Sequence, residues 1–402
     1  MIAGMTPEPA DVLVAAHADH GSVLALTQQL VRIPSRGGID HYLSMVEAVE
    51  DWLMDARLRP RRLVDDGGRV VGVVCDIAGG RPGPRYVLDA CLDTAPFGDE
   101  AAWAHSPTSG VIEDGWLNGR GAADSKAAVA VFCHLGARIA QHADQLRGTA
   151  TLLFDADEHT GRFGGAREYF AGADAPDDVA GVYIGYPGLD ELVVGGRGVW
   201  RVRLRVHGVA GHSGSSRYAP NAINKATELV GLLREAALPG PGAREFPLPP
   251  KVTVTEIRGG EGFSVMPDVC ALSVDVRLTP DFDAPAAQAL IRDAIGTLDE
   301  RWPDTRPTTV EVVTDWPPYR LPPTSALVEA LLDGAAGAGL RPEPRVAGPS
   351  NIGNYLAGLS IPATAGFGAV YEGLHGTDER IRVDTVPAVQ ASYHQAILTL
   401  LS

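Results

Sequence analysis

The sequence has 402 residues, of which 45% are hydrophobic and 21% charged, and this is the composition of a globular protein large enough for two domains. The formal net charge of −16 argues against nucleic acid or an anionic membrane surface as a partner. No apolar run approaches the ~20 residues of a membrane span, and the N-terminus lacks the pattern of a secretory signal. The four cysteines are far apart without a CxxC pair, which favours a reducing, cytoplasmic setting over a disulfide framework.

The first half of the chain alternates predicted helices with predicted strands. Helices are predicted at residues 11–33, 42–58 and 127–140, and strands at 70–74, 86–88, 152–154 and 182–184. This alternation predicts an α/β domain.

The pattern changes near residue 197. The order there is strand 200–209, helix 221–237, strands 252–257 and 270–278, helix 284–302 and strand 310–313, which is the order of a ferredoxin-like α+β unit. From residue 315 the earlier pattern returns, with a helix at 325–338, a segment at 351–359, a strand at 362–367 and a terminal helix from 385. We therefore expect a large α/β domain (1–196 and 315–402) into which a smaller α+β domain (197–314) is inserted.

The most informative stretch is residues 151–165. Its apolar run ends at Asp157, Glu158 and His159, and glycines follow, as where a buried strand enters a loop. In open α/β sheets, ligands bind beyond the carboxyl ends of such strands. A base and a metal ligand would be useful there, although a charged solvated turn is the simpler alternative.

Further residues of the same chemical kind stand at other strand ends and loops. Each has a plainer interpretation: Cys91 as a small buried residue, Asp124 as a helix N-cap, Tyr186 as a packing residue and His375 as a surface histidine. Taken together, the set has the mixture of imidazole, thiol and carboxylate that metal sites use. Its members are Cys91, Asp93, Asp124, Glu158, His159, Tyr186 and His375.

In their order and spacing these segments resemble the motifs of the M20 metallopeptidases, which include aminoacylases, carboxypeptidase G and succinyl-diaminopimelate desuccinylases. Residues 91–96 (CLDTAP) match His-x-Asp-x-x-Pro, residues 119–126 (GRGAADSK) match Gly-Arg-Gly-x-x-Asp-x-Lys, and residues 157–161 (DEHTG) match Asp-Glu-Glu-x-Gly. Tyr186 stands where the family has an acid before proline, and His375 matches the last zinc histidine. The resemblance implies a zinc-peptidase-like catalytic domain with an inserted lid and dimerisation domain.

The resemblance also implies roles for single residues. Asp124 would bridge two zincs and Glu158 would be the general base. Asp93 would not bind the metal itself but would support the residues around it. In the lid, His212 (in GVAGHS, 208–213) would reach the partner's site and stabilise the oxyanion, and Arg277 would hold a substrate carboxylate. Ser264 and Asn351 stand where the family has a substrate-binding Asn and, commonly, an Asp.

Three expected metal ligands are changed. Cys91 replaces His and Tyr186 replaces an acid at the same zinc, whereas His159 replaces Glu at the other. Tyrosine is a poor ligand at neutral pH because its hydroxyl titrates near ~10. The remaining set of Asp124, His159 and His375 is sufficient for a catalytic zinc. We therefore expect one zinc per chain, with the second site degenerate.

The sequence thus predicts a metal-dependent hydrolase of an amide bond in an N-acyl amino acid or small peptide that carries a free carboxylate. The alternative is a metal-poor or metal-free relative that binds, joins or rearranges an acylated amino acid. A covalent role for Cys91 ranks third, because no histidine is assigned beside it by sequence. A homodimer through the lid domain is expected, since Trp200, Val202, Leu204 and Val206 present one apolar face and the lid needs a partner for whatever this sheet leaves uncovered.

Overall fold

The computed structural model describes residues 9–216, 218–242 and 245–402. They divide into two compact units. The larger contains the described residues up to Val194 together with Leu321–Arg345 and Ser360–Ser402, and the smaller contains Gly195–Arg320 and Val346–Leu359. The predicted mixed α/β fold is confirmed.

Most helices lie close to their predicted positions, but the helix Gly164–Ala171 was not predicted. Helix α3 begins and ends at the predicted residues, and α5 and α6 begin at the side-chain caps Asn221 and Asp283, which accept backbone N–H bonds. No described helix is long and apolar enough to cross a membrane. The helices are α1 Pro9–Val31, α2 Leu43–Asp55, α3 Ala127–Ala140, α4 Gly164–Ala171, α5 Ala222–Glu235, α6 Ala284–Arg301, α7 Ala326–Gly337, α8 Ile352–Gly358 and α9 Val386–Leu400.

The strands include the predicted ones and several short ones whose sequences carry no clear period. They are β1 Pro60–Val64, β2 Val70–Ala78, β3 Arg81–Cys91, β4 Val111–Glu113, β5 Trp116–Asn118, β6 Arg147–Asp155, β7 Val179–Ile184, β8 Glu191–Gly196, β9 Gly198–His207, β10 Gly211–His212, β11 Lys251–Gly259, β12 Val265–Met266, β13 Val269–Leu278, β14 Thr309–Trp316, β15 Tyr319–Arg320, β16 Glu343–Ala347, β17 Ala363–Thr364, β18 Tyr371–Glu372 and β19 Arg380–Arg382.

The larger unit is built on a six-stranded sheet in the order β1-β2-β6-β3-β7-β17. Strands β3, β6, β7 and β17 are parallel, so their carboxyl ends lie at one edge of the sheet. Successive residues of β6 point to opposite faces, and Leu152, Leu153 and Phe154 are all fully buried, so both faces of the sheet are covered. This arrangement places the residues that follow these strands side by side.

The smaller unit has a four-stranded antiparallel sheet in the order β11-β13-β9-β14. With α5 between β9 and β11, and α6 between β13 and β14, it has the predicted ferredoxin-like order. The apolar face of β9 is not open, however. Its residues Trp200, Val202, Leu204 and Val206 are buried in one core with residues of α5 and α6, so helices of the same chain cover this face and a dimer would use another part of the unit.

The boundary between the units differs from the predicted one at Val346–Leu359, which clusters with the smaller unit. The Ser350 hydroxyl donates to the Arg197 carbonyl, and the Asn354 amide donates to the carbonyls of Gly196 and Pro317. These side-chain bonds to distant backbone hold the segment there. No periodic pattern in the sequence indicates them.

Candidate active site

Two parallel strands deliver the first group of site residues to the same edge of the sheet. Cys91 is the last residue of β3 and pairs in register with Asp155, the last residue of β6. The turn after β6 carries Glu158 and His159, and the fully buried Asp93 carboxylate accepts both of their backbone N–H groups at 3.0 Å. Asp93 therefore fixes the turn that presents Glu158 and His159.

Asp124 lies in a distorted turn, Ala122–Lys126, that precedes α3. It does not cap the helix. Its Oδ1 accepts from the Ser125 hydroxyl at 2.8 Å, and its Oδ2 lies 2.8 Å from His375 Nε2 and 3.4 Å from His159 Nε2. One buried carboxylate oxygen thus faces two imidazoles.

His375 follows β18 in the turn that leads to β19. Its φ of 57° is left-handed, and its side chain is 51% exposed, whereas that of His159 is 6% exposed. The centres of the two rings are 5.2 Å apart. The pair therefore has one ring in the protein interior and one open to solvent.

Asp124, His159 and His375 fit a metal ion. One ligand atom from each lies within 4.8 Å of the others, and both ring nitrogens of His159 are buried without a hydrogen-bond partner. Buried polar atoms are rarely left unpaired in proteins, so an unpaired ring nitrogen at such a site indicates a missing partner. Two imidazoles and a carboxylate with one open position is a ligand set of catalytic zinc.

The charges around these residues also favour a cation. Burial acts against ionisation of Asp124, but the nearby imidazoles of His159 and His375 hold its pKa well below its usual range. Burial likewise opposes a charged His159, yet the carboxylates of Asp124 and Asp93, 3.4 and 3.5 Å from its ring nitrogens, raise its pKa to about 11. A divalent ion would take the place of that proton, since metal binding requires neutral imidazole.

Glu158 is placed as a base beside this set. Its Oε2 lies 3.4 Å from His159 Nδ1, and its side chain is 27% exposed, which leaves it open to a substrate. Burial among protein atoms, with the charge of Asp124, raises the pKa of Glu158 to about 7. A carboxylate whose pKa is near neutral is suited to both accepting and returning a proton.

Cys91 is buried beside the carboxylates of the site. Its Sγ is 3.6 Å from Asp93 O, Asp124 Oδ1 and Ser125 Oγ, and burial, followed by the charge of Asp124, raises the pKa of the thiol far above its usual range. Together with Glu158 and His159 it forms a second possible ligand group. The structure thus brings a histidine near Cys91, but the carboxylates disfavour the thiolate that both ligation and covalent catalysis need.

Tyr186 follows β7 and is half-buried, with its backbone bridged to Phe367. It lines an apolar cavity with Ala123 and Phe132. Burial, with the charges of Asp124 and Glu158, raises the pKa of its hydroxyl far above the usual range. Tyr186 thus stands near the carboxylates as a neutral phenol.

His212 lies in the smaller unit, in the short β10 strand, with its side chain exposed. The Gly214 N–H donates to His212 Nδ1 at 3.0 Å, so the neutral ring carries its proton on Nε2. The next residue, Ser213, donates its backbone N–H to the carbonyl of Ser264. This contact ties the His212 segment to the loop that bears Ser264.

Arg277 is already engaged within the smaller unit. Its Nε donates to Asp275 Oδ1 at 2.7 Å, its Nη2 to Asp275 Oδ2 at 3.3 Å and its Nη1 to Ser350 Oγ at 3.1 Å. Asn351 caps α8 by accepting the Gly353 N–H. A substrate carboxylate at Arg277 would have to compete with Asp275, and this competition was not predicted from the sequence.

Two residues of the 119–126 motif, Arg120 and Lys126, are buried and basic, although no sequence pattern indicated what they bind. Lys126 is buried and its Nζ donates to the Ile33 carbonyl at 2.9 Å, and burial lowers its pKa to about 7. Arg120 forms a buried ion pair with Glu379. The motif itself was the signal for Arg120, whereas nothing in the sequence had indicated Glu379 as its partner.

Comparison with known proteins gives consistent matches. The model of peptidase family M20/M25/M40 matches residues 87–399. A succinyl-diaminopimelate desuccinylase of Stenotrophomonas maltophilia (strain R551-3) is 29% identical over 390 residues, which cover 94% of this chain and 99% of that protein.

Solved structures agree in fold. A tripeptidase from Staphylococcus aureus superposes with a TM-score of 0.74 at 18% identity, covering 95% of this chain and 98% of that one. A dinuclear metal binding peptidase of the M20 family from Bacillus subtilis superposes with a TM-score of 0.72 at 16% identity, covering 96% and 99%.

Proposed function

The chain belongs to peptidase family M20/M25/M40, and from this membership and the geometry of the site we propose that it hydrolyses the amide bond of an N-acyl amino acid or small peptide that carries a free carboxylate. The membership confirms the resemblance found in the sequence and the predicted class, a metal-dependent amide hydrolase. The observation that carries the proposal is the placement of Glu158 Oε2 3.4 Å from a ring nitrogen of His159, one of three residues that fit a metal. A protein that only binds its ligand has no need of a base there.

Asp124, His159 and His375 would hold one zinc. When bound, zinc supplies a Lewis acid that polarises the scissile carbonyl. His375, the exposed member of the set, leaves this side of the site open to substrate. Cys91 and Tyr186 are disfavoured as ligands because burial and neighbouring carboxylates keep both neutral.

Glu158 would accept a proton from the attacking water at a carboxylate oxygen and then deliver it to the nitrogen of the leaving amine. Asp93 would position this base, because its carboxylate binds the backbone N–H of both Glu158 and His159. The amide bond is replaced by a carboxylate and an amine, and water supplies the added atoms.

His212 would donate its Nε2 proton to the developing oxyanion, since Nδ1 already accepts the Gly214 N–H. Arg277 would bind the substrate carboxylate in place of Asp275. At present the Asp275 carboxylate accepts from Nε and Nη2 of Arg277, the two-bond arrangement that a substrate carboxylate would also use. Ser264 and Asn351 would contribute polar contacts. The names of the curated relatives make succinylated amino acids the first substrates to test.

We further propose a cytoplasmic homodimer formed through the smaller unit. Strand β14 is an open edge of its sheet, and Val310, Val312 and Val313 are each about half exposed, at 45%, 49% and 48%. An apolar edge strand is a template for pairing with another chain. A second copy of the same edge would cover it.

The proposal is tested by loading metal-stripped protein with zinc and measuring amine release from a mixture of N-acyl amino acids. Release that depends on zinc and is abolished by a chelator is expected. Binding of the acylated amino acid without any release, in protein of full zinc content, would instead support the alternative of a non-hydrolytic relative.

A further inference from the structure

A buried ion pair lies directly behind the candidate metal ligands. Arg120 Nη1 and Glu379 Oε2 are 2.6 Å apart, and the two side chains are only 2% and 1% exposed. A buried pair costs desolvation that its own attraction does not always repay. Both side chains of this pair also form hydrogen bonds with the surrounding backbone.

On one side, the Glu379 carboxylate organises the turn that bears Asp124. Its Oε1 accepts the backbone N–H groups of Gly121 at 3.0 Å, Ala123 at 3.0 Å and Asp124 itself at 3.2 Å. Gly121 has a left-handed φ of 83°, and a Cβ there would lie 2.6 Å from the Thr94 side chain. The turn wraps around this single oxygen.

On the other side, the Arg120 guanidinium organises the turn that bears His375. Its Nη2 donates to the carbonyls of Gly376 at 2.8 Å and His375 at 3.3 Å. His375 is held in a left-handed conformation that a non-glycine residue adopts only when its surroundings impose it.

The Arg120–Glu379 pair connects two turns that lie beyond the end of the ladder between β5 and β19. Strands β5 and β19 pair in register from Arg382↔Trp116 to Arg380↔Asn118, and there the ladder ends. Asp124 and His375 both lie beyond this end. One further backbone bond, from the Gly119 N–H to the Glu379 carbonyl at 2.9 Å, follows the ladder, and the side chains of Arg120 and Glu379 extend the connection to the backbone of both turns.

We propose that the Arg120–Glu379 pair is a positioning unit that sets the distance between Asp124 and His375 and thereby the affinity of the metal site. The inference rests on the proposed metal site and deepens it. Neither side chain offers an atom to the ion; each acts through the backbone of a ligand. Loss of such outer partners typically weakens metal binding about 10–100-fold.

The test compares the full-length variants Glu379→Gln and Arg120→Lys with the wild type. Zinc affinity is measured by competition with a chromogenic chelator, and thermal unfolding is measured with and without zinc. We expect the zinc Kd to rise about 10–100-fold in both variants. Lysine retains the positive charge, but it lacks the planar guanidinium with which Arg120 binds the Glu379 carboxylate and two backbone carbonyls at once. The matched control is Asp19→Asn, which breaks the Arg138–Asp19 ion pair between α1 and α3 and should leave the Kd unchanged.

The outcomes separate the two proposals. A wild-type Kd in both variants with a lowered Tm would show a purely structural pair and overturn the inference, while the metal site would stand. Absence of zinc binding by the wild type would overturn the proposed function and this inference with it. Arg120→Lys keeps the buried charge pair, so it decides the question if Glu379→Gln does not fold.

Discussion

His375 Nε2 lies 2.8 Å from Asp124 Oδ2, although 251 positions separate the two residues in the chain. The same oxygen is 3.4 Å from His159 Nε2, so two imidazoles from different loops converge on one carboxylate. A cation between them would satisfy all three groups.

Replacing Glu158 by Gln should leave the fold and zinc content unchanged but lower turnover by at least ~10²-fold, the scale of a lost general base. The amide keeps the shape of the side chain but cannot accept the proton. Steady-state kinetics of amine release, with metal analysis of the same sample, measures both effects. Glu343→Gln, at an exposed carboxylate, is the control, and undiminished hydrolysis in Glu158→Gln would remove this residue from the mechanism.

Replacing Arg277 by Ala should raise KM for carboxylate-bearing substrates by at least about tenfold, because a charged hydrogen bond contributes roughly 1.5–3 kcal/mol. A neutral amide analogue of the substrate should be affected less. Arg201→Ala is a matched control, since Arg201 also donates to Asp275 but is not expected to bind substrate. Equal losses for both substrates would show that Arg277 only orders Asp275 and Ser350.

The protein should sediment as a dimer at micromolar concentration, and Val312→Lys should convert it to a monomer. A charge on the exposed edge strand β14 would oppose pairing of two copies. Ile257→Lys is the control, because Ile257 is equally exposed at 48% on β11, the opposite edge of the same sheet. A wild-type monomer would contradict the dimer and also a role for His212 in a partner's site.

Stability should fall as the pH drops from about 6.5 toward 4, in part because of His394. Burial, with the positive charges of His142 and Arg138, lowers the pKa of this histidine to about 4, below its value of about 6.5 in an unfolded chain. The unfolded state therefore binds the proton first, and the contribution is present above pH 6.5 and lost below it. At pH 5 the loss is about 2 kcal/mol.

Urea denaturation at pH 5 and pH 7.5 measures this contribution. His394→Gln should reduce the difference in unfolding free energy between the two pH values. His17→Gln, at an exposed position of α1, should keep the wild-type difference. An unchanged difference in His394→Gln would show that other groups account for the acid sensitivity.

The sequence predicted those parts of the fold in which apolar residues repeat at a clear period or in which an apolar run ends at a clear turn signal. Helix α3 and the inserted strand–helix order were predicted because their apolar residues repeat regularly over many positions. The grouping of Cys91, Glu158 and His159 was predicted because parallel strands end at one edge. Short strands such as β4 and β5 offer too few residues to show a period.

Features that depend on which element covers which face were not predictable in the same way. The alternation in β9 shows that one face is buried, but it does not show whether helices of the same chain or a second copy bury it. The pairing of Arg277 with Asp275 was within reach, because residues two apart on a strand share a face. The Arg120–Glu379 pair joins positions 259 apart in the chain, and no local sequence pattern indicates it.

The number of metal ions is the central claim. Metal analysis of purified, chelator-free protein should find about one zinc per chain, which is lost in His159→Ala and retained in Cys91→Ala. The reason is that Asp124, His159 and His375 form a complete set without the buried thiol of Cys91. Two tightly held zincs per chain, one of them lost in Cys91→Ala, would contradict this account and indicate a two-metal site with a thiolate ligand.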